Sequence, residues 1–205
     1  MKTSSLTQEM IEQTIRFHGH SCPGLAIGMR VAELVLEKVG RAADEEVVAV
    51  VETDMCAVDA VQFLTGCTFG KGNLIHLDYG KNAFSFYRRS DGKGFRISVK
   101  PESVQVEDDI GALQRKAARG ELSAEEKGRL DRARKARIEK IMGSELKNLF
   151  EVKPHGGPVP RRARILESLV CDSCGERTME SRTRRFQGKT LCIPCFEPLE
   201  KRLPS

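Results

Sequence analysis

The chain has 205 residues, 40% hydrophobic and 31% charged, with a formal net charge of +5. That length supports one substantial core and a small appendage, and the mild positive balance permits contact with nucleic acid without requiring it. Trp is absent and Tyr occurs twice, which argues against an aromatic platform for stacking bases.

The opening Met1-Lys2-Thr3-Ser4-Ser5 is polar and has no apolar run of the secretory kind. No stretch approaches the roughly 20 apolar residues of a bilayer span. The expectation is a soluble, cytoplasmic protein without membrane attachment. Its seven cysteines are then metal ligands or reactive thiols before disulfides.

Residues 7–17 place Met10, Ile11, Thr14, Ile15 and Phe17 near one face, and Thr7 or Ser5 can cap the start, so a short amphipathic helix is predicted. Pro23 stands where a first helical residue belongs, because its missing N–H is not needed there. The run GLAIGMRVAELVLEKVG that follows is apolar on most sides and predicts a buried helix. In it Gly24, Ala26, Gly28 and Ala32 keep one surface small enough for close backbone approach.

The Val-rich EVVAVVE (46–52) reads as a central strand. Asp54-Met55-Cys56 then turns into a helix over about 57–65, which Gly66 can end in a left-handed conformation. LIHLDYG (74–80), AFSFYRR (83–89) and FRISVK (95–100) read as strands joined at Gly80-Lys81-Asn82 and Asp91-Gly92. The helix-then-strand order predicts an α+β fold with an antiparallel sheet core and packed helices.

From 101 to 150 Lys, Arg, Glu and Ala dominate. Ser123-Ala124-Glu125-Glu126 has the form of a capping box opening a long helix to about Leu149. Its narrow apolar stripe needs a partner, either the core or a second protomer. KPHGGPVP (153–160) reads as a linker. The predicted organisation is a core over 1–104, a charged helical connector over 105–152, a linker over 153–165 and a finger over 166–205.

In that finger, Cys171-x2-Cys174 and Cys192-x2-Cys195 are separated by seventeen residues. Zinc takes four ligands in a tetrahedron, and each C-x-x-C turn offers two thiolates at a fixed bite. The intervening Arg184-to-Thr190 segment predicts a hairpin, and Cys195 a final helix over Phe196 to Lys201, the layout of a treble clef or zinc ribbon. A closed set of four thiolates predicts a structural Zn2+ that contributes folding energy directly; two disulfides or free thiols are the alternative. The segment also resembles the finger of DksA/TraR-type transcription regulators. Arg182, Arg184 and Arg185 are either a solvated face or a contact to phosphate or an acidic partner.

The first half holds a second group: His18, His20, Cys22, Cys56 and Cys67. Cys22 and Cys56 each precede a predicted helix start, where exposed N–H groups favour a thiolate. His18 and His20 sit two apart, so their rings can point the same way. Such a set suits zinc or another borderline-soft transition metal. The alternative is small buried thiols and hydrogen-bonded histidines. If the site is reactive, Cys56 or Cys22 is the nucleophile or ligand and His20 a ligand or proton carrier. Cys67 has the weakest claim, since it follows a helix C-terminus. Asp54 or Asp59 can orient a ligating histidine, with capping the expected role of Asp54. Lys71, in Gly70-Lys71-Gly72, is placed to hold a carboxylate or phosphate, although the loop lacks a full phosphate-binding pattern. His76 and His155 are expected to be structural or solvent-facing.

His18-Gly19-His20-Ser21-Cys22-Pro23-Gly24, Glu52-Thr53-Asp54-Met55-Cys56-Ala57-Val58-Asp59-Ala60 and Thr65-Gly66-Cys67-Thr68-Phe69-Gly70-Lys71-Gly72-Asn73 together resemble the E-subunit family of formylmethanofuran dehydrogenase. The resemblance implies a homodimer with an α+β core and a metal-binding cleft lined by His18, His20, Cys22 and Cys56. It also implies an association with a molybdenum or tungsten enzyme of methanogenesis, whose main chemistry belongs to its other subunits. A zinc-finger regulator and a metallochaperone are the other functions the sequence supports.

Overall fold

The computed structural model describes residues 4–105, 108–155 and 157–201, the side chain of Asp108 apart. Residues 106–107 of the expected connector and Gly156 of the expected linker lie outside the described residues. The chain divides into two compact units, Met1–Arg162 and Ala163–Ser205.

In the first unit, α1 (Gln8–His18) is capped by Thr7, whose hydroxyl accepts the Met10 N–H, and stopped by Gly19 at φ 93°. α2 (Pro23–Lys38) starts at Pro23 and is buried from Leu25 to Val35. Its all-round apolar character is explained by its neighbours. One side packs on the sheet with Ile27, Val31 and Val35. Another packs on α1 and α3 (Ala57–Thr65) through Leu25, Met29 and Ala32.

The sheet contains β1 (Val47–Val51), β2 (Leu74–His76), β3 (Ala83–Arg88), β4 (Gly94–Val99) and β5 (Phe150–Pro154), in the order β2-β1-β3-β4-β5. The antiparallel register runs Ala49↔Phe86, Phe86↔Phe95 and Ile97↔Val152.

Two strands differ from the sequence reading. β2 pairs parallel to β1, with Ala49↔Leu74, and so lies on the far side of β1 from β3. The chain reaches it through α3, and parallel pairing requires such a crossover. β5 occupies residues whose pattern suggests a helix end and a linker. It is an edge strand, carrying Phe150 into the core and closing on Pro154 where no further N–H is needed.

α4 (Asp108–Ala118) and α5 (Ala124–Gly143) make up most of the charged stretch. The capping box at Ser123 and Glu126 forms reciprocally. α5 ends at Gly143 rather than near Leu149, and a single turn, α6 (Leu146–Leu149), leads into β5. α5 buries Leu130 and Ile141, and Ile141 joins the main core. Its end is tied to α2 by Arg30, whose guanidinium donates to the Ser144 carbonyl at 2.6 Å. Arg30 also pairs with Glu33 on the same helix, and Glu33 accepts from Ser4 Oγ at 2.9 Å and Ser5 N–H at 2.5 Å. This buried ion pair fastens the N-terminal segment to α2.

The second unit has two hairpins, β6 (Ser168–Val170) with β7 (Arg177–Met179) and β8 (Thr183–Phe186) with β9 (Lys189–Cys192), then α7 (Ile193–Glu200). Gln187 and Gly188 take φ 48° and 80° at the β8–β9 turn, as a two-residue hairpin requires. α7 begins three residues earlier than the sequence suggests, so Cys195 falls in its first turn. The protein is α+β with a mainly antiparallel sheet and a four-cysteine finger. No helix among the described residues is long and apolar enough to cross a membrane.

Candidate metal centres

The finger brings Cys171, Cys174, Cys192 and Cys195 together, with their sulfurs all within 4.8 Å of one another. The β6–β7 turn supplies the first pair; the end of β9 and the start of α7 supply the second. Cys192 N–H donates to Cys171 Sγ at 3.3 Å. Backbone donors at Cys174, Cys192 and Ser173 hold the Cys171 thiol down to about 6. Cys195 is pushed up, first by Cys192, because four sulfurs this close cannot all ionise without a cation between them. A zinc ion supplies that cation and closes the tetrahedron. Arg182, Arg184 and Arg185 are exposed.

The core brings together three of the five residues proposed there. A ring nitrogen of His18 and the sulfurs of Cys22 and Cys56 lie within 4.8 Å of one another. A tetrahedral zinc, with bonds of about 2.0–2.3 Å, wants its ligand atoms roughly 3.5–3.8 Å apart. Cys22 is the N-cap of α2, where its sulfur accepts the Leu25 N–H at 3.3 Å. Cys56 is the N-cap of α3 and makes no capping bond, so its sulfur is not committed to its own helix.

The two helix starts meet because α2 and α3 cross closely. A methyl group on Gly28 would lie 2.7 Å from Ala57 Cα and closer still to the Ala57 carbonyl oxygen. Gly24 keeps the space beside Cys56 open in the same way, since a Cβ there would meet Cys56 Cβ at 3.2 Å.

His18 is oriented from behind. Its Nδ1 lies 2.7 Å from Asp59 Oδ2, while its Nε2 lies 3.9 Å from Cys22 Sγ. A carboxylate on the remote ring nitrogen selects the tautomer whose near nitrogen carries a free lone pair. Asp59 therefore takes the orienting role. Asp54, expected to cap α3, is exposed and provides no cap.

Both cysteines were expected to be acidified by their helix starts. Cys56 goes the other way: burial, and then the neighbouring Cys22, push its thiol up. Desolvation and like charge outweigh the dipole, and a bound cation reverses both effects.

The remaining predicted residues lie elsewhere. His20 is exposed and stacks on the His18 ring at 4.5 Å, but contributes no atom to the trio. Cys67 is fully buried, donates to the Val47 carbonyl at 3.5 Å, and is pushed up by burial. It is a packed small side chain, because the left-handed turn at Gly66 sends it under β1. Lys71 donates to the Asp44 carbonyl at 3.4 Å, pinning a loop rather than facing the trio. His76 is exposed, and His155 stacks on Tyr87 at 5.1 Å.

A cavity of about 380 Å3 adjoins the trio, lined by Cys22 and Cys56 and also by Asn82, Gln114 and Arg137. The last three are functional candidates that the sequence reading missed. They come from three separate elements, and no spacing signals their convergence.

Fold and site together define a two-unit protein, an α+β core with a sulfur–imidazole trio and a four-thiolate finger. The family described as FmdE, molybdenum formylmethanofuran dehydrogenase operon, matches residues 17–151, and the prokaryotic dksA/traR C4-type zinc finger matches residues 164–201. The chain belongs to the FmdE family and carries this zinc finger. It is 36% identical to a probable S-adenosyl-L-methionine-binding protein of Archaeoglobus fulgidus, over 94% of this chain and 53% of that protein. The chain thus spans about half of that relative's length. A crystal structure of an FmdE-like protein of tungsten formylmethanofuran dehydrogenase, from Syntrophus aciditrophicus, superposes with a TM-score of 0.60. The match covers 98% of this chain and 100% of that one at 24% identity, a likeness of fold.

Proposed function

We propose that this metal-binding protein holds two ions with different jobs: a structural zinc in the finger and a second transition metal in the core. His18, Cys22 and Cys56 hold the core metal, and a fourth position stays open to a ligand. The reading is carried by one observation, a histidine already oriented by Asp59 and placed with two thiols inside 4.8 Å. Buried thiols of a merely structural kind do not need an oriented imidazole between them. Four thiolates close the finger to chemistry, whereas three ligands leave the core ion reachable. Cys22 and Cys56 then act as ligands rather than as nucleophiles. In the cell the protein would serve, as a cytoplasmic homodimer, as an accessory to a molybdenum or tungsten formylmethanofuran dehydrogenase; family membership supports this role.

Elemental analysis of the intact chain tests the metal count. Two ions per chain are expected in the wild type and one in the Cys22→Ser/Cys56→Ser double variant. One ion in the wild type, or two in the variant, refutes the core site. A metallochaperone would surrender the core ion to a chelator well before the finger zinc, and equal resistance of the two ions rules that role out.

A further inference from the structure

We infer that the cavity beside the trio binds a small organic carboxylate, its anionic end on Arg137 and its other end directed at Cys22 and Cys56. The inference deepens the proposed open coordination position by naming what approaches it.

The lining carries the argument. Among the described residues around this cavity of about 380 Å3, Arg137 is the one charged group, and none is Asp or Glu. Asn82 and Gln114 add neutral amides; Ile27, Met55 and Val104 add apolar surface. The starts of two helices also open here, since Pro23 and Gly24 begin α2 and Ala57 begins α3. Their unpaired N–H groups favour negative charge on the same side as the guanidinium.

Arg137 is underused by the protein. Its Nη2 donates to the Val104 carbonyl, but among the described residues it has no carboxylate partner and its buried Nε has no acceptor. The other buried arginine, Arg30, has Glu33 beside it. Burial lowers the hold of Arg137 on its charge, as expected for a cation drawn from water without an anion. A ligand anion would restore the balance.

The chemistry favours a carboxylate. The planar guanidinium matches it edge to edge, and one cation with two neutral amides balances a single negative charge. A phosphate monoester carries closer to two at neutral pH. The size lies at the small end of ligand sites.

The test is titration calorimetry on the full-length, metal-loaded chain with 3-mercaptopropionate, propionate, methyl phosphate and 2-mercaptoethanol. The mercaptocarboxylate should bind best, because it can reach both ends. Arg137→Gln should weaken it roughly tenfold or more, and Arg137→Lys by less, since charge survives without the fork. 2-Mercaptoethanol should be indifferent to both changes. Thermal melts of both variants check that they fold.

Wild-type affinity for 3-mercaptopropionate in Arg137→Gln and Arg137→Lys overturns the inference, as does no binding to the wild type or a preference for methyl phosphate. Propionate needs no metal, so its loss in Arg137→Gln decides the anion end separately. A core site shown empty by elemental analysis would refute the metal reading while leaving this arm intact.

Discussion

Gly28→Ala tests whether the crossing of α2 and α3 sets the geometry of the core trio. In an unencumbered helix the change would stabilise by about 1 kcal/mol, through propensity alone. Here the new methyl would sit 2.7 Å from Ala57 Cα, against backbone that cannot rotate away. Ordinary carbon contacts are about 3.5–4.0 Å, so the helices must part by roughly 1 Å. Overpacking of that kind costs about 1–3 kcal/mol, and more against backbone. The clash therefore outweighs the propensity gain, for a net loss of roughly 1–2 kcal/mol, or a fall of about 2–8 °C in Tm for a unit of this size.

The same displacement acts at the site, because Cys22 and Cys56 are the caps of these two helices. Metal–ligand distances tolerate only about 0.2 Å, so core metal affinity should fall by tenfold or more while the finger keeps its ion. Urea denaturation with elemental analysis reads both effects. A variant at least as stable as the wild type, with two ions retained, would refute the reasoning.

Four further outcomes are expected. Asp59→Asn should weaken core metal binding by about tenfold, the lower end of the usual range, because the Asp59 side chain is 39% exposed; chelator competition measures it, and an unchanged affinity would show that the contact does not orient His18. Arg30→Met should destabilise the core by about 3–5 kcal/mol by leaving Glu33 buried without its cation, whereas Arg30→Met/Glu33→Leu should recover much of that loss in the same urea titration. The Arg96 guanidinium, bonded to Glu52 at 2.6 Å, holds that carboxyl below its ordinary value of 4.5. Its stabilisation is therefore full above the unfolded value and is lost as pH falls through the lower folded one, so Glu52→Gln should lose stability at neutral pH and show a shallower acid limb. Removing zinc with a strong chelator at neutral pH should unfold the second unit and leave the sheet signal of the first, because three buried side chains, Cys171, Leu191 and Cys192, are a very small core; a finger that stays folded without metal would count against it.

Local features were legible from the residues alone. Pro23 at a first helical position, the capping box at Ser123 and Glu126, and the hairpin between the C-x-x-C pairs each depend on neighbours a few positions apart. The four-cysteine finger was readable for the same reason: each C-x-x-C turn is a chelate whose bite is local, and one hairpin joins the two. The elements that differ from the sequence reading answer to partners distant in the chain. Leu74–His76 has the pattern of a strand, but nothing in it says that its neighbour is β1 rather than β3. Phe150–Pro154 is too short to show its period until β4 lies beside it.

The core trio belongs to the second kind. Composition marked His18, His20, Cys22, Cys56 and Cys67 as one pool, and only the close crossing at Gly28 chose among them. It brought two helix caps together, turned His18 inward through Asp59, left His20 in solvent and sent Cys67 under the sheet. Residue type set which atoms can bind a metal, because that is a property of one side chain. Which of them converge, and on a cavity that also holds Arg137, was decided by packing between elements.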